Sequence, residues 1–358
     1  MEMLLKTCFY GISAFVFMLI LIPAATRIAQ QIKLTDQPGS RKLHNFPIPL
    51  VGGIAIMLSV FFTFLLSSEI QKTIHDQFAL FASSILVMII GLMDDKFDIS
   101  AKYKLVIELI IGFSMATAGY RITSLYGFLG IHELPVLIQY IFTVIVTTGV
   151  LNAFNLMDGV DGLIGELSVI GFVIITVASF IYGHFTNIIL YSAFIGAISG
   201  FLKFNLNKNK IFMGDAGSLW LGHLLINTCI YMLNHTQLAV TTRPALPLII
   251  LGYFLVPVLD SLRVYLGRLK KGNSPFMADK THLHHLLLLT GFSHKRISII
   301  ISAMSVFILI LGVLVYTYAS ITMTVILLIV LFCMIAFVLN LHKKLVIWRE
   351  RIKAMENN

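Results

Sequence analysis

The chain has 358 residues, of which 58% are hydrophobic and 12% are charged, and its mean hydropathy is +0.92. About half of the residues in soluble domains are apolar and about a quarter are charged, so this composition excludes a soluble protein and indicates an all-α polytopic membrane protein. The net charge of +9 does not indicate nucleic-acid binding, because the basic residues cluster beside apolar segments, where membrane topology and anionic lipid explain them.

Apolar segments near the length needed to cross about 30 Å of hydrocarbon recur along the whole chain and predict about eleven transmembrane helices. The predicted spans are residues 8–28, 50–68, 78–93, 104–121, 133–152, 163–182, 187–204, 216–233, 245–266, 297–318 and 321–341. No remaining stretch is long enough for a soluble domain. Residues 1–341 are therefore expected to form a single transmembrane domain, and residues 342–358 a basic tail.

The basic residues predict the orientation of these spans. All 26 lysines and arginines lie on one side of the predicted membrane except Lys6, Lys72, Arg121 and Arg243. The positive-inside rule assigns the richer side to the cytoplasm, so the N-terminus is expected outside and the C-terminus in the cytoplasm. The predicted cytoplasmic loops are about 29–49, 94–103, 152–162, 204–215 and 267–296.

The first of these loops contains a cationic cluster that follows Asp36. Arg41, Lys42 and His44 lie within four positions of one another, and such a group can bind phosphate or carboxylate. The alternative is an ordinary cytoplasmic loop that is basic only because of its side of the membrane.

The third span ends in three carboxylates, Asp94, Asp95 and Asp98. If the helix continues, Asp95 and Asp98 share one face, as do Asp94 and Asp98. Like charges this close need a cation. Mg²⁺ with a diphosphate is one candidate, and Lys102 and Lys104, which follow directly, are the other.

The stretch from Asn152 to Gly162 combines amides, carboxylates and glycines between two apolar segments. Asn152 and Asn155 share a helix face, and Asp158 and Asp161 are each followed by a glycine. Polar groups inside a membrane protein mark substrate or ion sites, and oxygen ligands suit a hard cation or a sugar nucleotide. A polar loop between two helices is the alternative interpretation.

The eighth span is preceded by Phe212-Met-Gly-Asp215-Ala-Gly-Ser. The amides at a helix N-terminus attract anions and phosphates, which favours a binding site here. Asp215 has an alternative interpretation as the N-cap of that helix. Phe212 is placed either to stack on a nucleobase or to serve as an interfacial aromatic residue.

Pro257 lies inside the ninth span and predicts that this helix kinks or breaks. Asp260 and Arg263 follow at i and i+3 and are interpreted as a structural pair.

The last cytoplasmic loop contains His282, His284 and His285, preceded by Lys280. These histidines lack a recognisable zinc spacing with a fourth ligand. Phosphate binding by the histidines and Lys280 is therefore the favoured functional interpretation, against three unrelated loop histidines.

Five motifs occur in a fixed order along the chain: Asp36-x-Pro-x-x-Arg-Lys-x-His44, Asp94-Asp95-x-x-Asp98, Asn152-x-x-Asn155-x-x-Asp158-Gly-x-Asp161-Gly, Gly214-Asp215-Ala-Gly-Ser and His282-x-His284-His285. Together they resemble the polyprenyl-phosphate N-acetylhexosamine-1-phosphate transferases, which include the initiating transferases of enterobacterial common antigen, O-antigen and wall teichoic acid. The MraY translocase is a cousin of this family. The resemblance covers nearly the whole chain and implies an MraY-like helical bundle. The Arg-Lys-Leu-His sequence resembles the N-acetylglucosamine branch.

The resemblance implies transfer of N-acetylhexosamine 1-phosphate, here N-acetylglucosamine 1-phosphate, from a UDP-sugar to undecaprenyl phosphate with release of UMP. This reaction would be the first membrane step of a cell-envelope polysaccharide. The resemblance also implies Mg²⁺ as the cofactor, with Mn²⁺ as a substitute, and a location in the bacterial plasma membrane with the site on the cytoplasmic face. Membrane lipid is an expected partner and a homodimer is compatible with the family.

Roles for individual residues also come from this resemblance. Asp94, Asp95, Asp158 and Asp215 form the expected catalytic set, and Asp215 and Asn155 are the expected Mg²⁺ ligands. The expected substrate-binding residues are Arg41, Lys42, His44, Lys104, Asn152, Asn155, Asp161, Phe212, His282, His284 and His285.

The mechanism and two competing functions remain open at this level. A phosphate monoester has a second pKa of about 6, so the lipid phosphate is largely dianionic at neutral pH and needs little deprotonation. This favours direct attack by the lipid phosphate, with Asp94 orienting it, over an aspartate nucleophile that forms an enzyme-bound sugar phosphate.

A phospho-N-acetylmuramoyl-pentapeptide translocase, or a transferase for another UDP-sugar, is the rival within the class. An ion-coupled transporter is the rival outside it, although transporters place ionisable groups near the midplane between inverted repeats.

Overall fold

In the computed structural model, residues 1–38, 46–207, 210–236, 245–274 and 281–356 are described, and they form helices and two short antiparallel strand pairs. The helices are α1 (Glu2–Gln31), α2 (Gly52–Leu66), α3 (Ser68–Asp76), α4 (Phe78–Phe97), α5 (Ala101–Thr117), α6 (Val136–Met157), α7 (Leu163–Tyr182), α8 (Phe185–Asn205), α9 (Gly214–His235), α10 (Ala245–Lys270), α11 (Leu283–Leu288), α12 (His294–Tyr316) and α13 (Ile321–Glu356). The strands are β1 (Thr35–Asp36), β2 (Ile48–Pro49), β3 (Ser124–Phe128) and β4 (Ile131–Glu133).

The all-α polytopic membrane fold is confirmed, because each of the eleven predicted spans coincides with one helix. Nine helices of the described residues are long and apolar enough to cross a membrane. Helix α2 reaches that length only together with α3, from which it is bent by 114°. Helix α5 has 17 residues, which is at the lower limit of about 17 to 25 residues for a span.

The predicted break at Pro257 is wrong. Helix α10 runs without interruption from Ala245 to Lys270 with Pro257 buried inside it. Proline removes one helical hydrogen bond, but a transmembrane helix tolerates this loss when its neighbours pack around it. Helix α10 packs against α6, α12 and α13, which explains why the helix continues.

Helix α9 forms the centre of the bundle and is 89% buried along its candidate span. It contacts α2, α4, α6, α7 and α10. Its mean hydropathy is only 1.3, because it carries polar residues that face protein rather than lipid; His223 and Asn227 are both fully buried. The N-terminus of α9, with Asp215 in its first turn, is therefore held deep between its neighbours.

Two glycines allow α2 and α4 to contact the first turn of α9 backbone to backbone. A Cβ atom on Gly91 would collide with the backbone of Ala216, and one on Gly53 would collide with the backbone of Gly217. A side chain at either position would thus push a neighbouring helix away from the residues around Asp215.

We expect Gly91→Ala to lower the thermal unfolding midpoint in detergent, because overpacking a tight contact costs about 1 to 3 kcal/mol. The matched control is Gly149→Ala in α6, where no atom lies within 4 Å of an added Cβ and alanine favours the helix by up to about 1 kcal/mol. Equal midpoints for the two variants would contradict the close contact of α4 with α9.

Candidate functional site

A cleft of about 1140 Å³ opens at the end of the bundle where α4, α6 and α8 end and α9 begins. Most of its charged lining is acidic. The carboxylates are Asp36, Asp94, Asp95, Asp98, Asp158, Asp161 and Asp215, and the basic and histidine side chains are Lys96, Lys210, Lys343, His285 and His294. Each of the five sequence motifs therefore contributes at least one residue to this cavity, the first of them through Asp36.

Asp95 caps the N-terminus of α9 from the neighbouring helix α4. The backbone N–H of Asp215 donates to Asp95 Oδ1 over 2.8 Å, and the backbone N–H of Ala216 donates to Oδ2 over 3.1 Å. These N–H groups have no partner within their own helix, so Asp95 supplies an acceptor from elsewhere in the chain. The first turn of α9 is thereby fixed to the end of α4.

Lys104, at the start of α5, connects two of the predicted catalytic aspartates. Its Nζ lies 2.6 Å from Asp94 Oδ2 and 3.0 Å from Asp215 Oδ2. The other oxygen of Asp94 accepts a hydrogen bond of 2.9 Å from the backbone N–H of Ile99. Asp94 is thus held at both oxygens, whereas the Asp215 side chain remains 36% exposed.

The predicted shared face of Asn152 and Asn155 is present, because α6 continues through both to Met157. Asn155 donates from its Nδ2 to Ser218 Oγ, which is 3.1 Å away in α9. Asn152 donates to the carboxylate of Glu108 in α5 and, over 3.0 Å, to the carbonyl of Thr148. Each asparagine is therefore oriented by a different neighbouring helix.

The loop after α6 contains two carboxylates with opposite pKa shifts. Burial and the nearby carboxylates of Asp215, Asp95 and Asp161 raise the pKa of Asp158 well above its usual value. Burial also acts to raise the pKa of Asp161, but hydrogen bonds from His294 and Lys210 outweigh it and lower that pKa. Lys210 Nζ lies 2.9 Å and His294 Nδ1 lies 3.3 Å from Asp161 Oδ2.

The predicted structural pair of Asp260 and Arg263 also fixes the histidine segment. Asp260 is fully buried and lies 2.6 Å from Arg263 Nη2 and 2.9 Å from His282 Nδ1. It also accepts the backbone N–H of Leu283 over 3.1 Å. Since the Arg263 guanidinium donates to the Thr281 carbonyl over 2.6 Å, the C-terminal part of α10 is bound to the segment that leads into α11.

The three predicted phosphate-binding histidines occupy different environments. His285 lines the cleft, whereas His282 and His284 are 4% and 2% exposed. Burial lowers the pKa of His284 to about 3, so its ring is neutral at physiological pH. The ring of His284 lies so close to Gly159 that a Cβ atom there would collide with it, which links α11 to the loop between α6 and α7. Phosphate binding stays a prediction, most directly for His285.

Phe212 is fixed at the rim of the cleft by the base of the first loop. Its N–H donates to the Pro49 carbonyl over 2.9 Å, and its carbonyl accepts the Gly52 N–H over 2.9 Å. Lys210 lies 5.2 Å from the centre of its ring. Arg41, Lys42 and His44 lie outside the described residues, as does Lys280.

Several residues of the site are absent from the sequence-based prediction. Glu108 is 3% exposed and forms the partner of Asn152. A single carboxylate inside an otherwise apolar span is itself a signal of function, so Glu108 was detectable. Lys210, His294 and Lys343 carried no comparable signal, because they lie among many basic residues at the ends of spans.

The described residues contain no group of three or more histidine, cysteine, aspartate or glutamate side chains arranged to hold a metal ion. Asp215 nevertheless lines the cleft, and Asn155, whose amide nitrogen donates to Ser218 of α9, has a side-chain oxygen that could serve as a second ligand. Mg²⁺ characteristically binds one or two protein oxygens and keeps water or substrate phosphates as its other ligands. The donor set fits such an ion and does not fit a metal held by protein alone.

Comparison with known proteins gave consistent matches. Residues 77–233 match the model of glycosyl transferase family 4. The chain is 34% identical over 309 residues to the undecaprenyl-phosphate alpha-N-acetylglucosaminyl 1-phosphate transferase of Escherichia coli K12, covering 85% of this chain and 82% of that protein. It is 32% identical over 305 residues to the Yersinia pestis protein of the same name, covering 84% and 81% of the two chains. A probable undecaprenyl-phosphate N-acetylglucosaminyl 1-phosphate transferase of Bacillus subtilis is 32% identical over 327 residues, covering 89% and 86%.

Proposed function

Because the chain belongs to glycosyl transferase family 4, together with relatives named as undecaprenyl-phosphate N-acetylglucosaminyl 1-phosphate transferases, we propose that it transfers N-acetylglucosamine 1-phosphate from UDP-N-acetylglucosamine to undecaprenyl phosphate. The products are UMP and a lipid-diphosphate sugar. The observation that carries the proposal is the cluster of Asp94, Lys104 and Asp215, which lies beside Asn155 at the end of a membrane bundle.

The proposed step is a phosphoryl transfer. An oxygen of the lipid phosphate attacks the phosphorus that carries the sugar, the bond between that phosphorus and the bridging oxygen breaks, and UMP leaves with that oxygen. Such a reaction needs alignment and charge neutralisation more than covalent chemistry from the protein. Lys104, between two carboxylates, would hold Asp94 and Asp215 in one arrangement for it.

Direct attack by the lipid phosphate is favoured over an aspartate nucleophile. Both oxygens of Asp94 already accept hydrogen bonds, from Ile99 and Lys104, which supports a role in orienting the lipid phosphate. Inversion at phosphorus in a chiral donor is the expected result of direct attack, whereas retention would indicate an enzyme-bound sugar phosphate.

We propose Asp215 and Asn155 as the protein ligands of Mg²⁺. When bound, the ion would neutralise charge on the donor diphosphate. The protein contributes the fixed position of both oxygens, because Asp215 is held at the start of α9 by Asp95 and Asn155 is bonded to Ser218 of the same helix.

The orientation in the membrane is part of the same proposal. The cleft lies at the end of the bundle that carries most of the lysines and arginines, and the positive-inside rule assigns that end to the cytoplasm. A soluble nucleotide donor and a lipid acceptor would meet there, at the inner surface of a bacterial plasma membrane.

The test is UMP release by the purified protein with undecaprenyl phosphate, UDP-N-acetylglucosamine and Mg²⁺, with and without EDTA. We expect lipid-dependent release that EDTA abolishes and that added Mg²⁺ or Mn²⁺ restores. Activity with another UDP-sugar, but not with UDP-N-acetylglucosamine, would keep the transferase proposal and change the identity of the donor. No UMP from any donor, from protein with a cooperative unfolding transition, would contradict the transferase proposal.

A further inference from the structure

Helix α13 is longer than a membrane span requires, and its C-terminal part lines the cleft. It runs from Ile321 to Glu356, 36 residues, which corresponds to roughly 54 Å at about 1.5 Å per residue. About 30 Å of this length is enough to cross the hydrocarbon. Lys343 and Ile347, one helical turn apart beyond the predicted span, both line the cleft.

The part of α13 that precedes the extension is held in position by apolar packing. Buried Phe332 and Ala336 of α13, with half-buried Leu339, belong to the same apolar cluster as Leu286 and Leu287 of α11. Helix α11 is in turn fixed to α10 through Asp260. The wall residues Lys343 and Ile347 therefore continue a helix that is fixed to the bundle one to two turns earlier.

Charge makes Lys343 distinctive within this wall. The lining of the cleft is predominantly acidic, yet both proposed substrates carry phosphate. Lys210 is paired with Asp161, and Lys104, at the base of the site, is paired with Asp94 and Asp215. Lys343 has no carboxylate partner within the described part of the chain.

Lys96 is the remaining lysine of the lining. It is exposed and lies 5.6 Å from the centre of the Phe97 ring, next to the acidic end of α4. Lys343 is half-buried and lines the cleft, whereas its neighbour Lys344 is exposed and does not line it. Two adjacent lysines of one helix thus differ in whether they face the site.

We propose that Lys343 binds a phosphate group of a substrate in the cleft, so that the C-terminal part of α13 is a substrate-binding element in addition to a membrane anchor. The inference rests on the proposed transferase function. The phosphate belongs either to the diphosphate of the nucleotide sugar or to the lipid acceptor, and the ammonium group recognises both in the same way.

The experiment compares Lys343→Gln with Lys343→Arg and with the matched control Lys344→Gln in the full-length protein. KM for UDP-N-acetylglucosamine and for undecaprenyl phosphate, kcat and the thermal unfolding midpoint are measured for each variant. Loss of one charge-assisted hydrogen bond in a solvent-filled cleft is expected to raise one KM about tenfold. Lys343→Arg should keep most of the affinity, because it keeps the charge.

A rise in KM for the nucleotide sugar alone would assign the contact to the donor diphosphate, and a rise for the lipid alone would assign it to the acceptor. Equal KM values for Lys343→Gln and Lys344→Gln would overturn the inference, as would a loss in Lys343→Gln that is entirely in kcat with a lowered unfolding midpoint. Wild-type protein that is folded but releases no UMP would instead contradict the proposed function.

Discussion

Asp215→Asn is expected to reduce UMP release at saturating substrates by about a thousandfold, the upper range for removing one electrostatic contact at a reacting centre. The carboxylate lies 3.0 Å from Lys104 and faces the cleft. Asparagine has nearly the same shape but no charge, so it can neither pair with Lys104 nor attract a cation as aspartate does. The backbone N–H bond from residue 215 to Asp95 does not depend on the side chain, so the unfolding midpoint should change little.

Asp98→Asn is the matched control for this variant. Asp98 lines the same cleft and is exposed, and it has a left-handed backbone with φ of 51°. Asparagine adopts this conformation readily, so the control changes charge without strain. A similar loss of activity in both variants would mean that the total negative charge of the cleft, and not the position of Asp215, determines the rate.

Asp95→Ala should lower both stability and activity, because it removes the cap of α9. The backbone N–H groups of Asp215 and Ala216 would lose their acceptors, at a cost of about 2 to 4 kcal/mol in the free energy of unfolding. The start of α9 would also be released from α4, and we expect activity to fall about a hundredfold because Asp215 is no longer held. Thermal unfolding in detergent and UMP release measure the two effects separately.

Asp95→Asn is a milder variant than Asp95→Ala, because the side-chain carbonyl of asparagine can still accept one hydrogen bond from the N-terminus of α9. Its unfolding midpoint should lie between those of wild type and Asp95→Ala. If Asp95→Ala instead unfolds like the wild type but has no activity, Asp95 acts on the substrate directly and its capping bonds are incidental.

Sequence patterns predicted the helices because every helix that crosses the hydrocarbon needs an apolar run of nearly the same length. They also located the polar groups at one end of the bundle, because each such group interrupts or ends an apolar run. Glu166 marks the limit of this reasoning: it also lies in a span, yet among the described residues its side chain makes a packing contact, a hydrogen bond of 3.0 Å from Ser302 of α12. Polarity alone therefore does not separate a packing contact from a site.

Pairings between residues close in the chain, such as Asp94 with Lys104 and Asp260 with Arg263, were predictable, but the long-range pairings within the site were not. Lys104 and Asp215 are 111 residues apart, and nothing local indicates that α5 and α9 begin side by side. His282 resembled a phosphate ligand because its partner Asp260 is 22 residues away on another helix. The continuity of α10 through Pro257 likewise depends on the helices packed around it.

The cap that Asp95 provides has a consequence for biogenesis. Asp95 and the N–H group of Asp215 are 120 residues apart, which corresponds to roughly 6 to 24 s of synthesis at about 5 to 20 residues per second. Asp94 can meet Lys104 as soon as the hairpin of α4 and α5 has been inserted, since only 10 residues separate them. Asp95 has no native backbone partner until the ribosome has made α9. The start of α9 can therefore be fixed to α4 only late in synthesis, whereas the contact between Asp94 and Lys104 can form early.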